Sequence, residues 1–149
     1  MPRIKLSNII HSTADHLFTL SEDYKKRLQW DPFMKEMEFL DGSSVMGKNV
    51  KTVTTAYNGM KMETVFIAHQ RPEVIAMQMI KGPFIFKSMS GTWRFKSIDE
   101  NLTEVVFIYH FTTKPAFIAW LLNPVISAIL KRDMQKRMSS LKKAAETHA

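Results

Sequence analysis

The chain has 149 residues, 45% of them hydrophobic and 23% charged, a balance that suits one globular domain with its own core and excludes a disordered chain. It has no cysteine, which removes a disulfide framework and thiol nucleophiles from consideration and fits a reducing compartment. The formal net charge of +7 points to anionic partners, yet much of the excess falls near the C-terminus, at Lys131, Arg132, Lys136, Arg137, Lys142 and Lys143, where a solvated helix face accounts for it.

In chain order, Met1-Pro-Arg-Ile-Lys-Leu-Ser-Asn8 has no apolar core of signal-peptide length, so a cytoplasmic location is expected. Residues 3–11 alternate as a strand with Ile4, Leu6 and Ile10 on one side. Ser12-Thr-Ala-Asp15 resembles a capping box and starts a helix through Leu17, Phe18 and Leu20. Ser21 is placed to cap a second short helix, from Glu22 to about Gln29. Trp30-Asp-Pro-Phe33 ends that helix, because a proline pushes the residue before it out of helical geometry. Trp30 and Asp31 fit either a pocket mouth or an anchor and a turn residue.

From there to residue 113 the punctuation is that of hairpins. Asp41-Gly42 and Asn58-Gly59 are dipeptides favoured where turn residues need positive φ, and Arg71-Pro72, Gly82-Pro83 and Asp99-Glu-Asn101 mark further reversals. Strand-like runs fall at about 34–40, 48–57, 60–70, 73–80, 84–97 and 102–113, rich in Thr, Val, Ile, Phe and Tyr. Short links between sequential strands require antiparallel neighbours. Then the period changes. Leu130, Met134, Met138, Leu141 and Ala145 form one helical stripe opposite the basic residues, with Asn123 as its cap and Pro124 in its first turn. Residues 116–122 are expected to form a separate or sharply kinked piece. The apolar run 116–130 is shorter than the ~20 residues that span a bilayer.

The expected architecture is α+β: a seven-stranded antiparallel sheet in a single domain over residues 1–149, covered by one long C-terminal helix, with two short helices between strands 1 and 2. At this point the chain resembles the START-like (SRPBCC) superfamily, and within it the polyketide cyclase/dehydrase and lipid-transport group. The resemblance is carried, in order, by Ser12-Thr-Ala-Asp-His-Leu-Phe-Thr-Leu20, Leu28-Gln-Trp-Asp-Pro-Phe33 and Gly82-Pro-Phe84. Gly91-Thr-Trp-Arg-Phe95, Leu102-Thr-Glu-Val-Val-Phe107 and residues 136–146 complete it. It implies the helix-grip fold, a curved sheet wrapped around the last helix with a hydrophobic pocket between them. Members use such pockets for lipids, quinones, sterols or polyketides; some catalyse cyclisation or dehydration and many only bind or carry. No shared catalytic set comes with the resemblance.

Catalytic signals are missing. There is no Gly-rich phosphate loop, nucleophile elbow or His-Glu-x-x-His, and His11, His16, His69, His110 and His148 lack metal-ligand spacing, so no metal and no cofactor are expected. No nucleic-acid motif accompanies the charge, and no nucleic-acid partner is expected. The candidate ligand-binding residues are apolar with a few polar groups among them. They are Trp93, Phe95, Phe107, Tyr109 and Phe111 on strands 6 and 7, Met77 and Met79 on strand 5, and Trp120, Leu121 and Val125 near the last helix. Tyr57 and His69 join them as polar candidates. Core packing is the alternative for each apolar residue. Tyr109 is the leading polar group, able to bond a ligand oxygen or a backbone group.

Binding or transport of a hydrophobic small molecule or lipid is the first expectation. A cyclase/dehydratase using Tyr109, His69 or Tyr57 as its acid or base is the alternative. An interaction module is the third, because Val106 and Ile108 make the outer face of strand 7 apolar, which also suits a homodimer. The apolar run 116–130 beside the basic helix suggests transient contact with an anionic membrane.

Overall fold

The computed structural model describes residues 3–40, 42, 45–57, 59–114 and 116–147. β1 (Arg3–Ile10) alternates as expected, with Ile4 and Ile10 buried and Leu6 half-buried. Both helix starts differ from the sequence expectation. Thr13, not Ser12, caps α1 (Ala14–Glu22), its hydroxyl accepting from the His16 N–H at 3.1 Å. α1 also continues through Ser21, and Asp23 caps α2 (Tyr24–Trp30) by accepting from the Lys25 N–H at 3.1 Å. A carboxylate complements the positive end of a helix better than a hydroxyl does, which favours Asp23 over Ser21. α2 stops at Trp30 because Pro32 holds Asp31 in an extended conformation.

A meander follows: β2 (Met34–Phe39), β3 (Lys51–Ala56), β4 (Lys61–Gln70), β5 (Val74–Lys81), β6 (Phe86–Asp99) and β7 (Leu102–Thr113). With β1 these form one antiparallel sheet in the order β1-β7-β6-β5-β4-β3-β2. Gly42 and Gly59 take φ of 76° and 87°, as the turn signals require, whereas their partners Asp41 and Asn58 lie outside the described residues, as does His148. Residues opposite one another across the sheet share a face. The row Ile4, Tyr109, Gly91, Met77 and Phe66 therefore marks the inner face, which α3 covers.

After a 3-10 turn (Ala116–Ile118), α3 (Ala119–Thr147) runs unbroken through Pro124, so the expected kinked piece and Asn123 cap are not there. Asn123 instead accepts a hydrogen bond at 2.6 Å from the Thr113 hydroxyl and ties the helix to the end of β7. Pro124 is tolerated because the one bond it removes belongs to Trp120 C=O, in a stretch of helix that is exposed to solvent. Met134, Met138, Leu141 and Ala145 are buried as the stripe predicts. The principal contacts of α3 are with β1, β7, α1 and α2. The inner face over β4 and β5 is covered less, and Met62, Met77 and Met79 there are only half-buried.

Candidate functional site

The inner faces of β6 and β7 form an aromatic wall. Trp93 stacks on Phe107 with centroids 3.8 Å apart and on Phe95 at 6.4 Å, and Phe107 meets the edge of Tyr109 at 4.8 Å. Phe111 is capped by Phe86 at 6.0 Å. Tyr109 can lie flat on the sheet because its cross-strand partner is Gly91; a Cβ there would stand 2.9 Å from the Tyr109 ring.

Against this wall sits a buried polar network that sequence reasoning missed. Asp31 Oδ2 accepts from Arg27 Nε at 3.2 Å, from Arg137 Nε at 3.2 Å and from Arg137 Nη2 at 3.0 Å. Its Oδ1 accepts from the Phe33 N–H at 2.9 Å. Arg137 also donates to the Tyr109 hydroxyl and lies over the Phe107 and Phe33 rings at 5.2 and 5.1 Å. Arg27 donates to Ser21 C=O at 3.3 Å and lies 5.4 Å over the Tyr24 ring. Burial pushes the Asp31 carboxyl upward, but the charges of Arg137 and Arg27 outweigh it and hold it below the usual carboxylate range. Burial likewise works against the Arg137 charge, and Asp31 reverses the effect and holds it above the ordinary arginine value.

The Tyr24 side of this network borders a cleft of about 560 Å³ between α1, α2 and the free end of the sheet. Leu28, Met37, Phe39 and Met46 supply its apolar walls, and Glu22 and Arg71 stand at its polar edge. Phe39 pairs with Thr52, Thr52 with Thr64, and Thr64 with Met79, so β2 presents the inner face here. At the edge, His69 Nε2 lies 3.0 Å from Glu22 Oε1, and Arg71 bridges Glu22 and Asp15. A second cleft of about 540 Å³ runs between α1, α2 and the C-terminal end of α3. Its polar wall is formed by exposed Lys26, Gln29 and Lys143, and it lies outside the sheet–helix interior.

Of the residues singled out in the sequence, Trp93, Phe95, Phe107, Tyr109 and Phe111 come together in the aromatic wall, packed on one another. Met77 and Met79 are half-buried beside them, and His69 is half-buried at the cleft edge. The others are elsewhere. Tyr57 is in the exposed turn after β3, and Trp120, Leu121 and Val125 are exposed on α3. The helix packs through Leu122, Ile126 and Leu130, one residue out of step with Leu121 and Val125. Arg137 is the main correction: assigned to the solvated basic face, it is buried, because its position between Met134, Met138 and Leu141 points it at Asp31. Helical phase carried that signal, and the charge obscured it.

Solved structures share this architecture. A START superfamily protein from Mycobacterium smegmatis is 10% identical, with 99% of both chains covered and a TM-score of 0.82. The Zhui aromatase/cyclase from Streptomyces sp. R1128 is 17% identical, with 97% of this chain and 93% of that one covered and a TM-score of 0.79. Norcoclaurine synthase from Thalictrum flavum is 15% identical over 99% of this chain and 88% of its own, with a TM-score of 0.72. At these identities the likeness shows the fold. By sequence, no curated protein matches the chain. The family model for polyketide cyclase / dehydrase and lipid transport matches residues 1–146, and the chain belongs to that family.

Proposed function

We propose that this protein binds a hydrophobic small molecule or lipid between the sheet and its helices and carries it without covalent chemistry. The observation that carries the proposal is the cleft walled by Leu28, Met37, Phe39 and Met46, continuous in face with the inner side of the sheet. Its size suits one small ligand. Burying about 300 Å² of ligand apolar surface would contribute roughly 7 kcal/mol before ordering costs. Native mass spectrometry of the purified protein tests this reading. A co-purified hydrophobic species is expected, and a protein that neither carries one nor takes up added hydrophobic ligands would overturn it.

Exchange at an anionic membrane is part of the proposal. Phe117, Leu121, Val125 and Ile129 recur every fourth residue and are all exposed; Trp120 is 74% exposed and Phe84 83%. Exposed Lys114 precedes this row, and Lys131 and Arg132 follow within a turn. An apolar stripe with an interfacial tryptophan and flanking cations suits the boundary of an anionic bilayer.

A cyclase/dehydratase is the second reading, favoured by the His69–Glu22 contact at the cleft edge and by the Tyr109–Arg137 bond. Acid–base chemistry requires such a positioned group. An enzyme would lose turnover but keep ligand affinity in Glu22→Gln, whereas a carrier has no turnover to lose.

A further inference from the structure

The charge inside the grip does not balance. Arg27 and Arg137 are each 2% exposed, and one carboxylate, Asp31, bonds to both. Three of the four guanidinium bonds to side chains converge on a single oxygen, Asp31 Oδ2, and the fourth ends on the Tyr109 hydroxyl. Burial holds the Tyr24 phenol above its ordinary value in spite of Arg27, so it remains neutral near pH 7 and does not supply the missing negative charge. Thr52 and Thr64, which bond each other at 3.0 Å, are neutral too. Hydrogen-bonding capacity is left over on Arg27 as well. Arg27 Nη2 and Ser21 Oγ are buried without a hydrogen-bond partner among the described residues, and Tyr24 Oη has only the neutral Thr52 hydroxyl beside it. A buried charge left without a counter-charge costs several kcal/mol, and orphaned donors add to that.

We propose that this surplus is the binding site for the carboxylate of an apolar carboxylic acid, held by Arg27 Nη2 and Tyr24 Oη with its tail along the Leu28, Met37 and Phe39 wall. Tyr24 belongs to both parts: its ring borders the cleft and carries the Arg27 guanidinium. The inference rests on the cleft being the site of a hydrophobic ligand and adds the ligand's charged end.

Fluorescence titration of the full chain with cis-parinaric acid and with its methyl ester separates the two claims. The acid is expected to bind roughly tenfold to a hundredfold more tightly, the factor carried by a charge-assisted hydrogen bond. Arg27→Gln is expected to abolish that preference by weakening the acid far more than the ester. Should this variant fail to fold, Tyr24→Phe carries the test, because it removes one donor and leaves the charges in place; a partial loss of the preference is expected. Equal binding of acid and ester by the unaltered protein, or a preference that survives both substitutions, would overturn the carboxylate site and leave the hydrophobic-ligand reading standing. Failure of both probes to bind would overturn both.

Discussion

Asp31 does more than end a helix. Its carboxylate is the counter-charge for two buried guanidiniums, so Asp31→Asn is expected to cost about 3–5 kcal/mol, read as a lower urea midpoint. The same pairing sets a pH dependence. The folded Asp31 carboxyl lies below its unfolded value of about 3.9, so its contribution is complete above that pH and is lost as pH falls through the folded value. Acid unfolding is therefore expected to need more protons in the unaltered protein than in Asp31→Asn, and comparing their pH-denaturation curves checks it. Gly91 is as specific in its role. A methyl group there meets the Tyr109 ring at 2.9 Å, so Gly91→Ala is expected to cost about 1–3 kcal/mol in thermal unfolding. Residues of this kind were legible only in part. Tyr109 stood out as a hydroxyl in an apolar row and Asp31 as a pocket-mouth or turn residue, whereas Arg137 read as part of a solvated basic face because its partner lies on a distant element.

Elements were easier to read than their ends. Alternation placed β2 through β7 within a few residues, since a strand buried on one face cannot shift register without exposing that face. The caps of α1 and α2 moved because Ser12, Thr13, Ser21 and Asp23 all carry capping groups, so the sequence offers more than one start for each helix. α3 shows the opposite error, a break expected where none occurs. Pro124 weakens the helix without ending it, held by the Asn123 tether to Thr113 and the packing of Ile126. Pro124→Ala restores the missing backbone bond and is expected to stabilise the protein by about 1–3 kcal/mol, measurable as a raised Tm.

At the scale of the whole molecule, the proposed membrane exchange would use the exposed row on α3. Sedimentation with phosphatidylserine vesicles is expected to bring the protein down, and Trp120→Ala with Leu121→Ser is expected to weaken that by roughly tenfold or more. No sedimentation with or without anionic lipid would remove membrane exchange from the proposal. Among the described residues no helix is long and apolar enough to cross a membrane. Periodicity and turn chemistry are local properties, so the sequence by itself determined the strand and helix order, the antiparallel sheet and the buried stripe of α3. The meeting of Arg27, Asp31 and Arg137 is not local: Arg137 lies 106 positions from Asp31, and only the closure of α3 over the sheet brings them together. That closure turned a residue of the basic face into the buried half of a charge pair, and left the row at Leu121 and Val125 facing out.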